Sequence, residues 1–157
     1  AMSMTNEAES AGVIAPGGTL IEATSGNAGI ALAVAAAVKG YRLELIMPRK
    51  QSEGRKGGLG AWLIDVSPDK GMEGACDLAL RIQAGGESLV INQFTNPDNP
   101  GGHFATTGPE IWEQTCGNLT HFIASVGTTG TTKGVSRSLK SQNPDIKIIG
   151  LQPTDGS

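Results

Sequence analysis

A chain of 157 residues is long enough for a compact core of its own. Glycine contributes 23 residues, about twice the usual share, yet apolar residues reach 38%, which excludes a disordered or collagen-like chain. A net charge of −3 argues against a nucleic-acid partner.

Along the chain, short apolar runs alternate with helical patterns. The start, Ala1-Met2-Ser3-Met4, has neither the charged nor the apolar region of a secretory signal. Strands are predicted near Thr19–Ala23, Arg42–Met47, Trp62–Val66, Ser88–Asn92, His121–Ser125 and Ile146–Leu151. Helices are predicted near Gly29–Lys39, Gly71–Gln83, Gly102–Gln114 and Thr131–Gln142, with a weak one after Ser52. Gly54, Gly57, Gly58 and Gly60 crowd that weak helix, each costing about 1 kcal/mol relative to Ala, so it is expected to be short or frayed. Strands separated by helices imply an α/β fold: an open, mostly parallel twisted sheet with helices on both faces. No linker divides the chain, and residues 1–157 read as a single unit. The apolar run Ile30–Val38 is too short to span a bilayer. Cys76 and Cys116 have no metal-ligand spacing and read as reduced, packed thiols of a cytoplasmic protein. His103 and His121 show no partner in the sequence and default to core or surface roles.

Open parallel sheets bind ligands beyond the carboxyl ends of their strands, where loops feed helix N-termini. Two such turns stand out. In Thr24-Ser25-Gly26-Asn27-Ala28-Gly29, backbone N–H groups and short side-chain donors open a helix toward an anion, although a plain capping turn has the same composition. In Gly127-Thr128-Thr129-Gly130-Thr131, glycines let the backbone close on a phosphate and hydroxyls add donors; a tight turn with capping threonines is the plainer alternative. Neither turn carries a Walker A or a GxGxxG pattern, which directs attention to a phosphate outside ATP or NAD. A third segment, Asn92 to Pro100, follows a strand. There Gln93 places an amide at the ligand crevice, while Asn96 to Pro100 reads as an ordinary turn-rich connection.

Together these segments resemble the fold-type-II pyridoxal-phosphate enzymes, and among them the cysteine synthases (O-acetylserine sulfhydrylases). The likeness rests on Glu22 to Gly29, on Gln93-Phe94 with Asn96-Pro97 and Asn99-Pro100, on Thr107-Gly108-Pro109-Glu110-Ile111-Trp112, and on Gly127 to Thr131. Gly150-Leu151-Gln152-Pro153 followed by Gly156-Ser157 is similar to the B-type isozymes. The resemblance implies pyridoxal 5'-phosphate as cofactor, with Gly127, Thr128, Thr129, Gly130 and Thr131 around its phosphate and Asn27 at its ring hydroxyl. It implies that Thr24, Ser25, Gly26, Asn27, Ala28 and Gln93 hold the substrate carboxylate; the family usually has Thr where Ala28 stands. The implied reaction replaces the β-substituent of O-acetyl-L-serine, or O-phosphoserine, with sulfide or thiosulfate, giving L-cysteine or S-sulfocysteine. A cystathionine β-synthase or threonine deaminase type of reaction, or a non-catalytic phosphate- or carboxylate-binding piece, are the alternatives. A homodimer is implied, without membrane or metal.

Two departures qualify the resemblance. The family's lysine lies in a Ser-x-Lys-Asp-Arg motif upstream of the helix beginning at Ala1–Met4; that motif is absent, so no catalytic residue is identifiable. The glycine-serine motif whose serine meets the pyridine nitrogen is absent too. Lys133 reads as solvent-facing, Lys39 as a helix-end cation, and Lys50, Lys56, Lys70, Lys140 and Lys147 as surface charges. The stretch Arg55 to Ala61 is shorter than the family's by about three residues, most of a helical turn. The expectation is an enzyme truncated or incompletely recorded at both ends, inactive as it stands.

Overall fold

The computed structural model describes residues 1–24, 26–48, 60–86 and 88–154. They group into two compact units, Ala1–Asn92 and Gln93–Ser157, each with its own sheet.

The first unit runs α1 (Met2–Ser10), β1 (Thr19–Ala23), α2 (Asn27–Lys39), β2 (Arg42–Pro48), β3 (Trp62–Val66), α3 (Gly71–Ala84) and β4 (Ser88–Val90). Its strands are all parallel, in the order β3-β2-β1-β4. The alternation of side chains along a strand divides the apolar runs between two cores. Leu20, Leu43, Leu45 and Met47 pack with Leu32, Ala33 and Ala36 of α2 and with Met4 of α1. Ile21, Ala23, Ile46 and Val66 pack with Ala75 and Ala79 of α3. Each fully buried Leu or Ile contributes about 1.5–3 kcal/mol, so this double covering holds the sheet. Helix α2 stops at Gly40, whose φ of +74° is the left-handed conformation that glycine adopts without a Cβ penalty.

Beside the buried threonines Thr5, Thr19 and Thr24, a carboxylate enters this interior. Glu22 on β1 is 1% exposed, and its Oε2 accepts the Asn92 N–H at 2.8 Å. Asn92 takes a φ of +51°, and its hydrogen bond fixes the turn that ends the unit.

The second unit contains α4 (Asp98–Ala105), α5 (Thr107–Gln114), β5 (His121–Ser125), α6 (Gly130–Gln142) and β6 (Lys147–Leu151). Strands β5 and β6 are parallel, and Phe122 and Ile148 pack against Val135 and Leu139 of α6. Ile123, Ile149 and Leu151 are exposed.

The predicted strands form, but in two sheets rather than one. The predicted helix Gly102–Gln114 is instead two, broken at Thr106 with φ −123° and ψ −68°. Pro109 explains the break: lacking an N–H and crowding the carbonyl of Ala105, it is accommodated only in the first turn of a new helix. Cys76 is half-buried and Cys116 exposed; both are free thiols, so the packed reading of Cys116 is corrected. The weak helix after Ser52 and most of the shortened stretch lie outside the described residues. Among the described residues no helix is long and apolar enough to cross a membrane.

Two stability tests follow from this unit. Glu22→Leu removes the acceptor and leaves a part-buried N–H unpaired, so the urea midpoint should fall by the equivalent of about 1–3 kcal/mol, with Glu22→Gln losing less. Equal midpoints for both variants and the parent would remove Glu22 from this role. Nearby, Lys39 pairs with Glu9 Oε2, and Tyr41 donates to Glu9 Oε1 at 3.0 Å. The hydrogen bonds from Lys39 and then Tyr41 hold the Glu9 carboxyl below the usual glutamate range. A depressed folded pKa contributes stability above the unfolded value and loses it as pH falls through the folded one. Thermal unfolding should therefore show the parent more stable than Glu9→Gln at pH 7, the gap closing below about pH 4. A gap unchanged down to pH 3 would refute the assignment.

Candidate functional site

Two helix N-termini, one in each unit, carry the residues singled out by the sequence. In the first unit β1 runs into α2 through Thr24, which is buried and donates its N–H to Ile46 O at 3.1 Å. Gly26 caps α2 and donates its own N–H to Thr24 Oγ1 at 3.3 Å. Gly29 in the first turn packs so closely that a Cβ would stand 3.0 Å from Thr24 Cγ2 and 3.1 Å from Leu45 Cδ1. No side chain caps this helix end. The N–H groups of Asn27 and Ala28 thus point out of an open helix start, the arrangement that receives a carboxylate. Ser25 lies outside the described residues.

In the second unit the loop after β5 leads into α6. Thr129, its N-cap, has φ +63°, an outlier for a β-branched residue of the kind that clusters at ligand-binding loops. Lys133 N–H donates to Thr129 O at 2.8 Å, so the N–H groups of Gly130, Thr131 and Thr132 precede the first helical hydrogen bond. No side chain caps this end either. A Cβ at Gly127 would meet nothing within 4 Å, leaving its backbone open to approach.

Two residues outside the sequence-derived site brace this loop. Asn99 Nδ2 donates to Gln93 O at 2.8 Å and to Thr128 Oγ1 at 3.2 Å, tying the buried Gln93 to the loop after β5. His103 reaches Thr131 Oγ1 through Nε2 at 3.2 Å and Thr107 Oγ1 through Nδ1 at 3.0 Å. The partnerless reading of His103 is therefore corrected, and Asn99 is more than part of a turn. The paired Asn-Pro steps were the available signal for Asn99, since Asn99-Pro100 sits in the first turn of α4. His121 is exposed and meets the neighbouring Thr120 hydroxyl at 2.9 Å.

A further hydroxyl follows those of Thr128, Thr129 and Thr131. Thr132 Oγ1, in the first turn of α6, is buried without a hydrogen-bond partner. Uncapped amides at a helix start, beside a Gly127 backbone open to approach, are the donor set that a phosphate completes, so these residues fit the phosphate of pyridoxal phosphate.

A family described as "Pyridoxal-phosphate dependent enzyme" matches residues 1–157. The chain belongs to that family. It is 58% identical over 160 residues to a cysteine synthase B of Pseudomonas aeruginosa, covering 100% of this chain and 54% of that protein. Against a cysteine synthase B of Escherichia coli the identity is 56%, over 100% of this chain and 53% of that protein. The crystal structure of a cysteine synthase from Entamoeba histolytica superposes with a TM-score of 0.88 at 41% identity, over 97% of this chain and 46% of that one. A hydrogen sulfide-producing enzyme from Fusobacterium nucleatum superposes at 0.89 and 34% identity, over 98% of this chain and 52% of that one. The chain spans about half the length of the curated relatives it matches.

Lysines in the described residues have other occupations. Lys39 pairs with Glu9, Lys140 donates to Pro144 O at 2.6 Å, and Lys70, Lys133 and Lys147 are exposed. Lys50 and Lys56 lie outside the described residues.

Glycine at 130 has a reason the sequence did not reveal. A Cβ there would stand 2.3 Å from Asn99 Oδ1 and 2.6 Å from Asn99 Nδ2, so even alanine displaces the brace. In coenzyme-free protein, Gly130→Ala should lower stability by about 1–3 kcal/mol, whereas Gly127→Ala should be nearly neutral. Thermal unfolding decides: equal losses at both positions would contradict the packing assigned here.

Proposed function

We propose that the whole protein is a cysteine synthase, and that residues 1–157 are one incomplete unit of it that binds coenzyme and substrate. The reaction is β-replacement of O-acetyl-L-serine, or O-phosphoserine, by sulfide or thiosulfate, yielding L-cysteine or S-sulfocysteine. The observation carrying this reading is the uncapped start of α6 beside the open Gly127 backbone. The high identity to cysteine synthase B proteins supports it.

When bound, pyridoxal phosphate supplies an electron sink for charge developing at the substrate's α-carbon. The chain's own work is binding and orientation. Gly127, Thr128, Thr129, Gly130 and Thr131 hold the phosphate through backbone N–H groups and hydroxyls, and the α6 N-terminus adds about half a positive charge. Asn27 serves the ring hydroxyl. Thr24, Ser25, Gly26, Asn27, Ala28 and Gln93 take the substrate carboxylate, chiefly through backbone N–H groups. That choice tolerates Ala28, because the lost threonine hydroxyl leaves the N–H in place. Movement of the α-proton falls to a lysine outside these residues, so residues 1–157 alone bind without turning over. A homodimer in the cytoplasm is part of the same reading, supported by the family and by the free thiols.

The test uses the whole protein loaded with pyridoxal phosphate. O-acetylserine with sulfide should yield cysteine, and Asn27→Ala should cut kcat roughly 10- to 100-fold while leaving the melting temperature nearly unchanged. Turnover of threonine, or of serine with homocysteine, in place of cysteine formation would move the protein to a sister reaction. An Asn27→Ala variant with full activity and lowered melting temperature would make that residue structural.

A further inference from the structure

His103 has no part in the coenzyme contacts above, yet both its ring nitrogens are engaged. Nδ1 lies 3.0 Å from Thr107 Oγ1, in the first turn of α5, and Nε2 lies 3.2 Å from Thr131 Oγ1, in the first turn of α6. Close helix packing sets the ring there: a Cβ at Gly134 would stand 2.6 Å from His103 Cβ and 2.3 Å from Pro100 O. Burial pushes the imidazole pKa down, so the ring is neutral at pH 7 and one nitrogen carries the hydrogen.

That hydrogen decides what Thr131 can do. A hydroxyl has one hydrogen to give. If Nε2 is bare, Thr131 spends its hydrogen on the ring and offers an anion only lone pairs. If Nε2 carries the hydrogen, the ring donates to Thr131 Oγ1, and the hydroxyl hydrogen remains for a phosphate oxygen. The bare Nδ1 then accepts from Thr107. Only this second direction is consistent along its whole length with an anion at the start of α6.

We propose that His103 is a positioning residue of the phosphate site: held as the Nε2–H tautomer by Thr107, it turns the Thr131 hydroxyl toward the coenzyme phosphate. The inference rests on the phosphate reading of the loop at Gly127 to Thr131. A ring kept only for helix packing would not care which nitrogen is protonated.

The experiment compares pyridoxal phosphate with pyridoxal, which lacks the phosphate, binding to the coenzyme-stripped whole protein by calorimetry. His103→Asn keeps an amide near Thr107 but loses the donor to Thr131, and should weaken pyridoxal phosphate about 3- to 10-fold while leaving pyridoxal unchanged. His103→Gln, whose amide reaches the Nε2 position, should lose less. Thr131→Val should match His103→Asn, and the double variant should be no weaker than either single one. Long-range nitrogen-15 spectra of the phosphate-loaded parent should show the Nε2–H tautomer, a readout that survives even if His103→Asn fails to fold. An Nδ1–H tautomer, equal weakening of both ligands, or additive losses would overturn the proposal. If the parent itself binds pyridoxal as tightly as pyridoxal phosphate, the phosphate reading falls first. If the parent discriminates and His103→Asn discriminates equally, only the role of His103 falls.

Discussion

The approach of α4 to α6 sets the geometry of the second unit. Gly134 removes the side chain that would collide with the Pro100 carbonyl and the Phe104 backbone nitrogen, 2.3 and 2.9 Å from where a Cβ would stand. Gly108 does the same for α5, where a Cβ would lie 2.3 Å from Ser138 Cβ. With the helices this close, Asn99 and His103 reach the start of α6 directly, and the Arg137 guanidinium lies over the Phe104 ring at 5.2 Å. Interiors packed at this density transmit small changes, so a methyl group at either glycine is felt at the loop.

The first unit solves a similar problem by different means. There the helix start is placed by a sheet buried on both faces, and the close contact is between Gly29, Thr24 and Leu45. The free donors at its helix start are backbone N–H groups, whereas those of the second unit are supplemented by hydroxyls with defined partners. A backbone site depends on φ and ψ and tolerates side-chain change, so alanine at 28 is compatible with the proposed carboxylate site. A hydroxyl site depends on hydrogen direction and is sensitive to each neighbour.

Much of this was legible in the sequence. Strands such as Thr19–Ala23 and His121–Ser125 were read to the residue, because short apolar runs between glycine-rich turns leave little choice. The two loops were legible because helix-start chemistry is local. What escaped was non-local. Asn99 and His103 acquire meaning only when α4 and α6 meet, and beyond the Asn-Pro step at Asn99 their own segments announce no partner some thirty positions away. The break at Thr106 is in principle readable from Pro109, whose missing N–H is tolerated only in a helix's first turn. Glycine at 130 was credited with leaving room for a ligand; the nearer cause is the Asn99 side chain.

The left-handed Thr129 connects these points. A β-branched residue at φ +63° costs of order 1–3 kcal/mol, and such strain persists only where its surroundings over-determine it. Here the surroundings are identifiable: Asn99 holds Thr128 on one side, and His103 holds Thr131 on the other. Relaxing Thr129 would move the first turn of α6 against both. The strain is therefore stored by the same two side chains that orient the loop's hydroxyls. A glycine at 129 would remove the strain, but it would also remove the conformational restriction that keeps the loop in one arrangement before a ligand arrives. Threonine at this position is consistent with a loop that favours preorganisation over stability, as the proposed anion site built from amides would require.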